Sequence, residues 1–177
     1  MSYFKFLFLI LASIFFYGCS SHVQSVDGAN EKFAKNAIVI DYNATKNLNM
    51  QDGQSHTTVL VVYQLNNINA FNNLIENKSG VLKLLSAKKF APSVMSIDKI
   101  FVSPGKSNKV FLNRAEKTVW VAVVAGYYNF SPSQVTLAYK IMSYDKYKFW
   151  KSKFNQKFLH IKIYLEKSSI QKVSNNG

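Results

Sequence analysis

The stretch TVWVAVVAGYY, residues 118–128, carries apolar side chains at both odd and even positions. Its β-branched and aromatic residues favour a strand. A strand with one solvent-facing side alternates apolar and polar residues, whereas apolar residues on both sides are typical of a strand that is covered on both faces. We therefore expect this strand at the centre of a sheet, with Val121 and Val123 on one face and Trp120 and Val124 on the other.

Six further segments have strand composition, and polar turn residues separate them. In the last of them, apolar residues alternate with His160 and Lys162, so that strand should be buried on one side only. The six predicted strands cover residues 37–42, 57–65, 94–102, 109–112, 134–142 and 158–165.

Residues 70–87, between two of these strands, break the two-residue alternation. Their apolar side chains recur at intervals of three and four on either side of residues 77–80, which predicts two short helices. A row of short strands with one such interruption indicates a mainly β fold, a two-sheet β-sandwich with a short helical insertion.

The single cysteine, Cys19, follows an apolar run, Phe6–Tyr17, near the N-terminus. The run is shorter than the roughly 20 residues that span a bilayer. It has the length of the apolar core of a secretory signal peptide, about 7 to 15 residues. A lone buried thiol, a catalytic nucleophile and a lipid attachment point are the three alternatives for this cysteine. The apolar run and the small residues around the cysteine favour the lipid.

Gly18 directly before Cys19 resembles the lipobox of bacterial lipoproteins. Phe16 and Tyr17 depart from that pattern, which has leucine and a small residue there. The resemblance implies that the signal is cleaved before Cys19, that the thiol takes a diacylglycerol, and that the new amino group takes a fatty acid such as palmitate.

Composition divides the chain into three parts. Residues 1–18 form the predicted signal peptide. Residues 19–35 are polar and without periodicity, and they are predicted to be a lipidated N-terminus and flexible tether. Residues 36–177 form the predicted β-sandwich domain. With Cys19 acylated the domain has no thiol, so its core must hold the fold without disulfides.

The net charge of +13 needs a physical account. Residues 140–172 hold nine lysines against Asp145 and Glu166, and the aromatic, lysine-rich 140–157 segment contributes most of them. An anionic membrane surface, an acidic partner and nucleic acid are possible targets, and a solvated lysine-rich surface is the alternative. Export and the presence of only one arginine, Arg114, argue against nucleic acid.

No motif for catalysis or metal binding occurs in the sequence. His22, His56 and His160 are far apart in the chain, and none has a carboxylate at metal-ligand spacing. The sequence has no G-x-S-x-G nucleophile motif and no glycine-rich phosphate loop. We therefore predict no catalytic residues, no metal site and no cofactor other than the covalent lipid, and we expect that the protein is not an enzyme.

Three stretches in this order behind a lipid cysteine resemble the TssJ (SciN/VasD) family of type VI secretion outer-membrane lipoproteins. The first is VLVVYQLNNINAFNNL, residues 59–74, an apolar strand followed by a phenylalanine that opens a helix. The second is FVSPGKSNKVFL, residues 101–112, a strand that runs into proline and glycine. The third is VWVAVVAGYY, residues 119–128, a hydrophobic strand that ends in alanine, glycine and aromatics.

The resemblance implies a transthyretin-like two-sheet sandwich. It also implies a structural role, in which the lipoprotein anchors the secretion membrane complex to the outer membrane by binding the periplasmic domain of TssM. The family's partner-contact loop corresponds to residues 46–56. Leu48 and Met50 there are either exposed anchors for the partner or side chains tucked into the sandwich. The predicted partner-binding residues are Asn47, Leu48, Asn49, Met50, Gln51 and Asp52.

Ser20 after the cysteine bears on the destination, because aspartate at that position favours inner-membrane retention in enteric bacteria. We therefore expect the outer membrane, with the domain facing the periplasm. A rival hypothesis is a periplasm-facing lipoprotein that binds a small or polymeric envelope ligand, such as peptidoglycan or lipid.

Overall fold

The computed structural model describes residues 32–141 and 158–173. The predicted signal peptide, Cys19 and most of the predicted tether lie outside these residues, as does most of the basic 140–157 segment.

The described chain folds into eight strands and two short α-helices. In residues 32–141 and 158–173, no helix is long and apolar enough to cross a membrane. The elements are β1 (Ala34–Ala44), β2 (Thr58–Leu65), α1 (Asn69–Leu74), α2 (Lys78–Leu85), β3 (Val94–Val102), β4 (Ser107–Arg114), β5 (Trp120–Ala125), a 3₁₀ turn (Pro132–Gln134), β6 (Thr136–Lys140), β7 (Leu159–Leu165) and β8 (Ile170–Lys172).

Two four-stranded sheets pack face to face, which confirms the predicted sandwich. One sheet has the order β4-β1-β7-β8 and the other β3-β2-β5-β6. All neighbours are antiparallel except β1 and β7, which run parallel from Ile38 opposite Leu159 to Ala44 opposite Leu165. We call the second sheet the covered sheet and the first the open sheet, since α1 and α2 lie with the second.

The covered sheet explains the apolar stretch from which the fold was predicted. Every residue of Val121–Ala125 is fully buried. The residues of β5 belong to the core that the two sheets share, and α2 contacts β5 as well. Tyr63, on the neighbouring strand β2, donates its hydroxyl to the Leu84 carbonyl of α2. Burial raises the pKa of Tyr63 to about 12, so the phenol stays a donor.

The helical insertion follows the prediction of two short helices. Asn77 is the N-cap residue of α2, and its side-chain oxygen accepts a hydrogen bond from the Gly80 amide at 2.9 Å. A Cβ on Gly80 would lie 1.9 Å from the Leu74 carbonyl oxygen, so this position needs glycine for the two helices to touch. Phe71 of α1 is fully buried and contributes to the core.

The open sheet leaves its outer face in solvent. On β7, Ile161 and Ile163 are buried while His160 is exposed, as the alternation predicted. On β1, Asp41 points outward, with its carboxylate 3.8 Å from the Lys109 ammonium and 3.6 Å from His160 Nε2.

The strand boundaries differ from the prediction by a few residues, most notably at the start of β1, and the structure has one strand that was not predicted. β1 begins at Ala34, inside the predicted tether, because Ala34 pairs with Arg114 at the end of β4. Arg114 is 5% exposed and donates from Nη2 to the Lys32 carbonyl at 3.1 Å. β8 was not predicted, since three residues are too few for an alternation to show.

The sandwich has two ends, which we call poles. The tether pole is where the chain enters the domain, and the loop pole is where β1 ends. The tether pole comprises residues 32–35, 113–118, 141 and 158, and the loop pole comprises residues 46–57, 103–106, 126–129 and 166–169. The 11-residue β1 runs from one to the other, a span of about 35 Å.

Candidate functional site

The predicted partner loop, residues 46–56, forms part of the loop pole and packs against the end of the sandwich. Leu48 is fully buried in the core, and its carbonyl accepts a hydrogen bond from the His56 amide at 3.1 Å. The alternative in which this side chain is tucked into the sandwich is therefore correct for Leu48, and a partner cannot use it as a surface anchor.

Asn49 is the second predicted contact residue that lies inside. It is 3% exposed and has a left-handed backbone, with φ of 46°. Its Oδ1 accepts from the Tyr128 amide at 2.9 Å, and its Nδ2 donates to the Thr57 carbonyl at 3.3 Å. Asn49 thus joins the loop to the end of β5, and we correct its role from partner contact to internal support.

The tip of the loop is a small hairpin. Gln51 and Gln54 exchange backbone hydrogen bonds at 2.9 Å around Asp52 and Gly53. These two have φ of 50° and 75°, which is the geometry of a type I′ turn, for which Asp-Gly is a preferred pair. That dipeptide is the sequence signal that could have predicted the hairpin.

Four predicted contact residues remain accessible. Asn47 and Asp52 are exposed, and Met50 and Gln51 are half-buried. The Met50 amide donates to the Lys167 carbonyl at 3.2 Å, so the β7–β8 turn supports the loop from the side. Of the two apolar candidates, Met50 alone has an accessible side chain.

Tyr128 lies beside the loop and was not among the predicted site residues. It is 62% exposed, and its ring meets the His56 ring edge-on at a centroid distance of 5.1 Å. The next residue, Asn129, donates from Nδ2 to Gln51 Oε1 at 2.8 Å. Tyr128 and Asn129 therefore extend the surface formed by the loop. In the sequence, Tyr128 is the last residue of the apolar 118–128 stretch and is not distinguishable from the strand residues before it.

Tyr127 supports the same pole from within. Its hydroxyl donates to the Ser169 carbonyl at 2.7 Å. Burial raises the pKa of Tyr127 far above its usual range, so the phenol keeps the proton that this bond requires.

An open groove of about 440 Å³ lies between Tyr128 and Phe101, which is 70% exposed. Thr58, Val59 and Gly126 are among the residues that line it. The groove offers aromatic rims, threonine hydroxyls and a polar loop beside it.

The described residues contain no group of three or more potential metal ligands. His56 lies at the loop pole and His160 on the open sheet, so the structure keeps them apart. Of the basic 140–157 segment the structure describes the first two residues. There Lys140 places its ammonium 5.9 Å from the centre of the Trp120 ring.

Comparison with known families gives a match over residues 36–166 to the family described as type VI secretion lipoprotein (VasD, EvfM, TssJ). This match confirms the resemblance drawn from the three stretches. A search among curated proteins gives no match.

Solved structures share the fold. The T6SS lipoprotein TssJ1 from Pseudomonas aeruginosa has a TM-score of 0.61 at 19% identity, over 83% of this chain and 98% of that one. Serratia marcescens Lip, a membrane-bound component of the type VI secretion system, has a TM-score of 0.64 at 19% identity, over 78% of this chain and 97% of that one. A chain in the structure described as the TssM C-terminal domain from EAEC has a TM-score of 0.57 at 12% identity, over 77% of this chain and 97% of that one.

At identities of 12 to 19%, the solved structures show only that the fold is shared. The family model matches residues 36–166, which is most of the chain. The chain therefore belongs to the type VI secretion lipoprotein family.

Proposed function

We propose that this protein is a periplasm-facing outer-membrane lipoprotein that anchors the type VI secretion membrane complex. In this proposal Cys19 carries the lipid, and the loop pole binds the periplasmic domain of a TssM-type inner-membrane protein. The observation that carries the proposal is the placement of the chain entry and the candidate partner surface at opposite ends of β1.

This placement suits an anchor. A domain held to a membrane at its tether pole presents its loop pole to the periplasm, about 35 Å further from the lipid. A pulling force between the lipid and the partner would act along β1, from Ala34 to Ala44. β1 is hydrogen-bonded to β4 from Ala34 to Asn43 and to β7 along Ile38–Ala44, so many backbone hydrogen bonds would share that force.

The loop pole has the properties of a preformed binding surface. Leu48 and Asn49 fix the loop from inside, and the Gln51–Gln54 hairpin fixes its tip. A surface already held in place loses little conformational entropy when it binds. The accessible residues are Asn47, Met50, Gln51, Asp52, Tyr128 and Asn129.

Two further points support the partner and the membrane. One structure of the same fold is named for the TssM C-terminal domain, which favours a TssM-type protein as the partner. The residue after Cys19 is Ser20 and not aspartate, which favours the outer membrane over the inner one.

The experiment that tests the proposal compares wild type with Cys19→Ser in cells. A fatty-acid analogue should label the wild type and not the variant, and wild-type protein should sediment with outer-membrane markers in a density gradient. A tagged periplasmic domain of the TssM-type protein should be recovered with it from crosslinked envelopes. Equal labelling of both chains would refute lipidation, and labelling without recovery of the partner domain would refute the anchoring role.

Binding of a small or polymeric envelope ligand is the second candidate function, and the open groove between Phe101 and Tyr128 favours it. Phe101 lies on β3 and lines this groove together with Tyr128 of the loop pole. If the groove holds a ligand, protein purified from envelopes should carry an additional mass in native mass spectrometry, and Phe101→Ala should lose it while still binding the partner domain.

A further inference from the structure

We propose that the tether pole is itself a contact surface for anionic phospholipid, so that the domain rests on the membrane that its lipid enters. This inference deepens the proposed function and rests on it for the position of the lipid. It concerns residues of the folded domain, and none of them belongs to the candidate partner surface.

The tether pole is more basic than the loop pole. Its described residues include four basic side chains against one acidic, namely Lys32, Lys35, Arg114 and Lys117 against Glu116. The loop pole has three against two, namely Lys46, Lys106 and Lys167 against Asp52 and Glu166. Of the two poles, the one where the chain enters therefore carries the larger net positive charge.

Exposed aromatics lie among these charges. Phe33 is 52% exposed and Phe158 is 66% exposed. Phe33 precedes Ala34, which pairs with Arg114, and Phe158 precedes Leu159, which pairs with Ile38. Large apolar side chains surrounded by lysines are the combination by which surface segments insert into the boundary between headgroups and acyl chains.

The chain outside the described structure limits what this pole can face. Cys19 is joined to Lys32 by a segment that reaches at most about 45 Å when fully extended. The tether pole therefore stays within about 45 Å of the acylated cysteine. The loop pole lies about 35 Å from the tether pole, at the other end of β1. Positive charge on the near pole and negative charge on phospholipid headgroups are complementary, which makes an anionic lipid surface the expected occupant.

The distance between the two poles is large enough that charges at the loop pole interact only weakly with a membrane at the tether pole. The screening length at physiological ionic strength is about 8 Å. Lysines at the loop pole lie several such lengths from a surface that the tether pole touches. They therefore provide a matched control with the same charge change and no expected effect.

The test uses residues 19–177 with Cys19→Ser, which contain the whole described core and carry no acyl chain. Their association with vesicles is measured by flotation, on phosphatidylethanolamine with and without phosphatidylglycerol. The parent chain should bind the vesicles that contain phosphatidylglycerol. Lys32→Gln, Lys35→Gln and Lys117→Gln together should weaken this binding on the order of 100-fold, at about fivefold per lysine. The control, Lys46→Gln, Lys106→Gln and Lys167→Gln together, should leave it unchanged.

A second variant tests the aromatic part. Phe33→Ala with Phe158→Ala should weaken vesicle binding while the lysines are intact, and both side chains are exposed enough that the melting temperature should stay near that of the parent chain. Equal loss in the two lysine variants, binding that ignores phosphatidylglycerol, or no binding by the parent chain would overturn the proposal. So would stronger retention on purified peptidoglycan than on vesicles.

These outcomes are independent of the proposed function. The acyl chain is absent from every variant, so vesicle binding does not depend on lipidation in cells. Binding of the partner domain, measured on the same preparations, should be the same in the parent chain and the tether-pole variants. Loss of vesicle binding with the partner affinity intact isolates the lipid contact.

Discussion

The two poles are each held by one buried carboxamide, and the two carboxamides come from different parts of the fold. At the tether pole, Gln64 donates from Nε2 to the Asn113 carbonyl at 2.8 Å and accepts from the Ala115 amide at 2.8 Å. At the loop pole, Asn49 accepts from the Tyr128 amide and donates to the Thr57 carbonyl. Gln64 belongs to strand β2, whereas Asn49 belongs to a loop.

This difference means that the two poles differ in how far their sequence can change without altering the sandwich. The tether pole derives its shape from a strand in the middle of the covered sheet, so changing it means changing the sandwich. The loop pole derives its shape from a loop residue with positive φ, so the exposed tip can change while the strands stay the same. A surface that must match a particular partner is easier to alter at the second kind of site.

The largest effect should come from the core that joins the poles. Val123 is fully buried in β5, and Val123→Asp would bury an unpaired carboxylate. The cost is several kcal/mol, comparable with the total stability of a small domain. We expect no stable fold, and both poles should be lost together. Asn43→Asp, at an exposed position of β1, is the control and should keep a near-native melting temperature. A soluble, cooperatively melting Val123→Asp protein would contradict the placement of this strand.

The next effect concerns the buried side of the loop. Leu48→Ala should lower the free energy of unfolding by about 2 to 5 kcal/mol, the usual range for a buried leucine. Met50→Ala should cost much less, because that side chain is only half-buried. Urea unfolding of the two variants measures the difference. Equal stability of both would mean that Leu48 does not pack as described.

A smaller effect should distinguish the two carboxamides. Gln64→Ala leaves two backbone groups at the tether pole without their partner, and Asn49→Ala leaves two at the loop pole. Each change should cost about 2 to 3 kcal/mol, since the two groups left without a partner are part-buried and each should cost near the lower end of about 1 to 3. Amide exchange should locate the damage, speeding at Ala115 in the first variant and at Tyr128 in the second. Faster exchange of both amides in both variants would show that the poles are not independent.

The sequence was sufficient to predict those strands in which apolar residues follow a regular pattern. The both-face apolar run of Val121–Ala125 and the one-sided alternation of β7 were both confirmed. The parallel pairing of β1 with β7 could not be derived in this way, because it depends on how distant segments cross between the two sheets.

The candidate site was only partly predictable. The loop from residue 46 to 56 has no periodicity, so Leu48 and Met50 look equivalent in the sequence. The difference arises because the chain turns back over Leu48, and the His56 amide bonds its carbonyl. Tyr128 escaped prediction for a related reason, since it follows the end of β5 within the same apolar stretch and its side chain is exposed.

The most direct test of the central claim compares equal apolar truncations at the two poles. Met50→Ala with Tyr128→Ala alters the loop pole, and Phe33→Ala with Phe158→Ala alters the tether pole. The dissociation constant for the periplasmic domain of the TssM-type partner and the melting temperature are measured on one preparation of each. The loop-pole variant should bind about 30-fold more weakly, corresponding to about 2 kcal/mol for the loss of central contacts. The tether-pole variant should bind like wild type, and neither melting temperature should move much. An unchanged dissociation constant in the loop-pole variant, or a weakened one in the tether-pole variant alone, would contradict the account.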